Sequence, residues 1–278
     1  MTSDTEYRRF EETRKSFLTR DGERSRLAHD RDRDRDREGL SLQVHEEPTL
    51  SSGRYLKPGV FGGLDGISTI FALIAGSVGA QLSASALLAV GAGTLLAGAV
   101  GMGLGEYVSS LAEKEVAESE RARECWEVEN YPEGEIREMV DIYISKGVDR
   151  VDAELVARTL AKYKGFWVEH MLLTEIGIIP PDPDENVFFS GLVMFASFLI
   201  FGSIPLIAYS VIVYHVSNVD PFLVTVLSSL ATLFGLGALK SHVLGQGRVK
   251  GGGLMVFQGS VCAATAYWLG NAVQTLLL

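Results

Sequence analysis

Asp65 stands alone in residues 60–80, a stretch otherwise free of charge and long enough to cross a bilayer as a helix. An ionisable group at such depth costs about 2.5–3.5 kcal/mol on insertion scales. A carboxylate kept at that cost points to movement of a charged species. A structural aspartate satisfied by a neighbouring helix is the alternative.

A second set of carboxylates is polar in setting and paired in spacing. Glu124 and Glu127 are three residues apart, as are Glu135 and Glu138, with Asn130–Pro132 between the pairs. On helices joined by a short turn, the four would converge from antiparallel neighbours, as paired glutamates do in helical di-iron sites. Further on, Met171 and Glu175 are four apart beside His170, placing a thioether and a hard oxygen on one face. Carboxylate oxygens suit Fe²⁺, Mn²⁺ or Zn²⁺. A solvated acidic hairpin, with pairs such as Glu120 and Arg123 serving solubility, is the competing reading of the same spacing.

Between these sets lie Met102 and Glu106, four apart. Folding residues 60–105 as a hairpin about position 82 or 83 sets Asp65 level with about Val100, within roughly one turn of Met102 and two of Glu106. Asp65, Met102 and Glu106 then form a ladder at one end of the membrane. Gly59, Gly62, Gly63, Gly66, Gly101 and Gly105 include three GxxxG spacings that allow close helix crossings around the aspartate.

Positioning these groups needs spans and an insert. Residues 60–80, 85–105, 187–214, 221–239 and 254–278 each read as an apolar transmembrane helix. From 106 to 129 no proline or glycine interrupts the chain, so the second span should continue as a stalk beyond the membrane. Further helices are expected over 133–146, 152–164 and 166–178, the last stopped by Pro180 and Pro181. The expected fold is an all-α membrane protein of five transmembrane helices, with a cytosolic helical insert between spans 2 and 3.

Charge sets the topology. The short loops after spans 1 and 3 hold no Lys or Arg, whereas Arg54 and Lys57 precede span 1, and Lys240, Arg248 and Lys250 lie between spans 4 and 5. By the positive-inside bias, the N-terminus and insert are cytosolic and the C-terminus is on the far side. Residues 113–185 carry 19 acidic against 9 basic side chains, which accounts for the whole net charge of −10. The expected division is a disordered cytosolic tail over 1–54, spans 1 and 2 over 55–112, an acidic metal-binding domain over 113–185, and spans 3 to 5 over 186–278. The tail expectation rests on a run of alternating charge at 31–37 with few apolar residues. Cys125 and Cys262 form no CxxC or disulfide pattern. No GxSxG, Walker A or HExxH motif is present, so an enzyme is not expected, nor is a nucleic-acid partner.

The segments GGLDGISTIFALIAG (62–76), GAVGMGLGEYVSS (98–110), EHMLLTEIGI (169–178) and PDPDE (181–185) resemble the vacuolar iron transporter family, with likeness over roughly residues 55–278. That resemblance implies a homodimer in the membrane of a vacuole or other acidic organelle, exchanging cytosolic Fe²⁺ for protons, with iron as substrate and no prosthetic group. It implies that Asp65 and Met102 line the path at the dimer interface. Glu124, Glu127, Glu135, Glu138, Met171 and Glu175 match the insert's metal-binding positions. Thr94 stands where many members carry a glutamate, and Leu172 where some carry a second methionine. The alternatives are a Mn²⁺ or Zn²⁺ transporter of the same fold, a membrane-tethered metal buffer or sensor, and an anchored adaptor.

Overall fold

The computed structural model describes residues 51–180, 186–216, 218–243 and 246–277. The charged tail, up to residue 50, and the PDPDE segment lie outside these residues. All regular elements among the described residues are helices: α1 (Ser51–Gly79), α2 (Ala84–Asn130), α3 (Pro132–Ser145), α4 (Arg150–Leu160), α5 (Lys164–Met171), a π-helical turn (Leu172–Ile176), α6 (Val187–His215), α7 (Pro221–Val243) and α8 (Arg248–Leu277). Among them, α1, α2, α6 and α7 are long and apolar enough to cross a membrane. α8, where a fifth span is expected, has 30 residues but carries Gln258, Asn271 and Gln274 and is not one of the four.

α2 links the two settings of the carboxylates. Ser83, in extended conformation, caps it by accepting the Ala86 N–H at 3.3 Å. Its 47 residues run about 70 Å at 1.5 Å each, against about 30 Å for a hydrocarbon core. The half after Glu106, rich in Glu and Arg, therefore extends beyond any bilayer that the apolar half crosses. Tyr131 alone joins α2 to α3, and Pro132 occupies the first turn of α3, where its missing N–H costs nothing.

The insert has its own core. Ile136, Met139, Val140 and Tyr143 recur at helical spacing on α3 and pack with Ala153 and Ala157 of α4 and Trp167 and Met171 of α5. Asp149 starts α4 by accepting the Val151 N–H at 2.9 Å. The helix expected over 166–178 divides. α5 ends at Met171, the chain widens into a π-helical turn, and Gly177 (φ 78°) ends it in the left-handed region, so glycine rather than proline makes the stop.

In the spanning part α1 is central. Ile70 and Ile74 pack with Leu87, Leu95 and Ala99 of α2 and Phe198 of α6, whereas Ile67 packs with Leu233 and Leu236 of α7 and Met255 of α8. Gly62 and Gly66 let α1 meet α6 backbone to backbone: a Cβ at Gly66 would lie 2.5 Å from the Phe198 carbonyl oxygen. The α1 glycines are thus used inside the chain. A Cβ at Gly101 or Gly105 on α2 would meet nothing within 4 Å among the described residues beyond its own stretch of helix.

Candidate metal centre

α2, α3 and the π-helical turn each supply one carboxylate to a common point. Glu124, Glu135 and Glu175 each offer an oxygen, and the three oxygens lie within 4.8 Å of one another. The one-residue joint brings Glu124 and Glu135 together across a helical hairpin, and Met171, four residues before Glu175, anchors the third strand of the arrangement in the apolar core. The wider turn carries Glu175 out of that core to the carboxylates; such turns are frequent at functional sites.

The electrostatics are those of crowded, enclosed carboxylates. The Glu124 side chain is 0% exposed, and neither of its oxygens has a hydrogen-bond partner; Glu175 Oε2 is also buried and unpartnered. Two ionised carboxylates at 4.8 Å repel by about 3 kcal/mol at an effective dielectric of ~20. Burial pushes the Glu124 carboxyl up to about 7, with Glu175 the next contributor. Burial also raises Glu135 and Glu175, each further raised by neighbouring carboxylates. A divalent ion removes the repulsion and fills the vacant acceptors, so this donor set fits a hard or borderline dication.

The remaining predicted residues take different places. Glu127 is turned to Arg123, 3.0 Å from its Nη1. Glu138 is exposed, on a groove with Tyr131, Arg137 and Asp141, yet its charge acts on both Glu135 and Glu175. Met171 is fully buried beside Met139 and Trp167 in the apolar core. His170 is held by the Tyr143 hydroxyl at 2.6 Å and by the stacked Phe166 ring, and burial, then Lys146, lowers its pKa.

In the spanning part Asp65 is half-buried, and the Thr69 hydroxyl donates to its carboxylate one turn on. Phe198 meets Gly66 with its backbone and Gly98 with its ring. Met102 is partly buried against the cluster that includes Ile70, Ala99 and Phe198, and Glu106 is half-buried one turn further along α2.

Arg123 is the residue that sequence reasoning assigned too small a part. Its spacing to Glu120 and Glu127 is visible in the sequence; its approach to Glu124 is not.

The sequence matches the VIT family over residues 56–271. This chain belongs to that family. It is 42% identical to a vacuolar iron transporter of Toxoplasma gondii over 95% of this chain and 88% of that one. It is 37% identical to one from Plasmodium falciparum over 95% of this chain and 96% of that one. With vacuolar iron transporter 1 of Arabidopsis thaliana the identity is 30% over 84% and 92%. Membership of the VIT family makes this a transporter-family protein, and its carboxylates belong to a chain whose relatives bear the name of iron.

Proposed function

We propose that this VIT-family protein moves Fe²⁺ from the cytosol into an acidic, vacuole-like compartment in exchange for protons. The observation that carries this reading is the trio Glu124, Glu135 and Glu175, three of whose buried oxygens have no hydrogen-bond partner, at the end of a helix whose other half is apolar enough to span a membrane. The insert captures the ion, and Glu127, Glu138 and Met171 complete the set as further ligands. Asp65, Met102 and Glu106 form the pathway, and with threonine at position 94 only Asp65 and Glu106 remain there to exchange a proton for the ion. α8 is the fifth span, lying against α1 and α7; the Lys and Arg bias of the loops supports a cytosolic insert and a lumenal C-terminus, and the working unit is a homodimer. Iron is substrate here, with Mn²⁺ or Zn²⁺ as its competitors for an oxygen-rich site.

The deciding experiment is Fe²⁺ uptake by proteoliposomes containing the purified chain, with and without an acid-inside gradient. Uptake that rises as the lumen is acidified is expected. Binding without any uptake would make the protein a membrane-tethered buffer, the role in which Asp65 has no use.

A further inference from the structure

The carboxylate centre already holds a cation of its own. The Arg123 guanidinium donates from Nε to Glu120 Oε2 at 2.9 Å and from Nη1 to Glu127 Oε2 at 3.0 Å, and its Nη2 lies 2.9 Å from Glu124 Oε1. The third contact is close in distance but off the direction of a hydrogen bond, since Glu124 Oε1 has no hydrogen-bond partner. Among the described residues Arg123 is the positive charge that acts on Glu124, Glu135 and Glu175 alike.

We propose that Arg123 is a resident, displaceable cation that occupies Glu124 and Glu127 when the centre is empty and is driven onto Glu120 when a divalent ion binds. The inference rests on the reading of the insert as a metal centre and adds what regulates it. A dication bonded to Glu124 at about 2.1 Å and a guanidinium 2.9 Å from the same carboxylate repel each other and compete for its charge, so binding loosens the guanidinium's hold. The mobile partner is the arginine. Its side chain is 47% exposed and keeps an anchor outside the trio in Glu120, whereas Glu124 is enclosed. The same side chain explains why Glu127, expected with the other glutamates, is absent from the trio: Arg123 Nη1 donates to both of its oxygens, at 3.0 and 3.3 Å. Release of Arg123 returns Glu127 to the centre as a fourth carboxylate. Binding then costs the arginine its contacts, which keeps affinity moderate, as a site that must pass its ion on requires.

The test is Zn²⁺ calorimetry on the full chain in detergent, zinc serving as a redox-inert probe. R123Q is expected to bind about three- to tenfold tighter than wild type, the effect of losing one or two part-exposed ion pairs. R123K keeps the charge but cannot span two carboxylates, so its affinity should fall between the two. R123Q equal to or weaker than wild type, or R123K matching wild type while R123Q tightens, would overturn displacement. Should R123Q fail to fold, E120Q decides: losing the anchor should weaken binding two- to fivefold, and unchanged or tighter binding overturns the proposal. Absence of Zn²⁺ binding by the wild type itself sinks the metal-centre reading, and displacement with it, a result distinct from binding that ignores Arg123.

Discussion

The two ends of α2 handle acidic groups in opposite ways. Near its apolar half, Asp65 is a single carboxylate, half-buried, held by a neighbouring hydroxyl and set among closely packed glycines. At the far end Glu124, Glu135 and Glu175 are crowded within 4.8 Å, one of them fully enclosed, against the preference of like charges to separate. A lone, hydrogen-bonded carboxylate gives weak and reversible contact with an ion. A crowded trio favours capture, because binding relieves repulsion built into the fold. Glu106 and Glu124 are 18 residues apart on one helix, about 27 Å, so in the proposed function capture and passage take place at separate points of that helix.

The widest separation of the two regions is expected from Asp65→Ala. Transport in liposomes should be abolished while Zn²⁺ binding by the insert stays at the wild-type level, since the substitution removes a pathway group and also an insertion cost. Wild-type uptake by this variant would erase the distinction. The reciprocal variant changes Glu124, Glu135 and Glu175 together to Gln. It should lower Zn²⁺ affinity by about a hundredfold or more, beyond the ~10–100-fold lost with a merely supporting residue. Equal calorimetric titrations before and after would return the trio to a solvated acidic hairpin.

Acidity sharpens the contrast. The Glu124 carboxyl, ordinarily at 4.5, lies at about 7 in the fold. A raised carboxyl takes up a proton on folding, so its contribution to stability of the metal-free insert is full below about 4.5 and is lost as pH rises through about 7. Metal must expel that proton. Zn²⁺ affinity should therefore fall about tenfold per pH unit below 7 for each proton displaced, and level off above it. Glu124→Gln should flatten the slope measured by titration at several pH values; an unchanged slope would assign the proton to another group.

Much of this was legible because it is written in local signals. The unbroken run from 106 to 129 gives the stalk, Pro132 gives the joint, and the i,i+3 glutamates give two corners of the centre. Asp65 announces itself by its apolar surroundings. The rest depends on contacts between distant segments. Which four-residue neighbour an arginine chooses is ambiguous on any acidic helix, so Arg123 read as a solubility pair although it also reaches Glu124. The π-helical turn leaves no composition signal, so the helix expected through 178 is in fact α5 to Met171 followed by that turn to Ile176. Met171 shares a helical face with Glu175 by spacing, yet its side chain is enclosed by the α3 core, which the spacing does not encode.

The smallest expected effect tests the two glycine sets. A Cβ at Gly66 would meet the Phe198 carbonyl oxygen at 2.5 Å, and backbone cannot swing aside as a flexible side chain can. Gly66→Ala must push α1 from α6 and should cost about 1–3 kcal/mol, visible as a lower unfolding temperature in detergent. At Gly101 a methyl group meets nothing within 4 Å among the described residues beyond its own stretch of helix, and in a helix interior alanine is favoured over glycine by about 1 kcal/mol. Gly101→Ala should therefore leave the unfolding temperature of the single chain unchanged or slightly higher. If a second copy seats on that face, the added methyl group weakens the pair while the single chain is untouched. Unfolding temperature and molecular mass measured together on the two variants separate these outcomes: a loss of stability at Gly101 without loss of mass would mean that α2 has a neighbour within its own chain, and the open face would have to be abandoned.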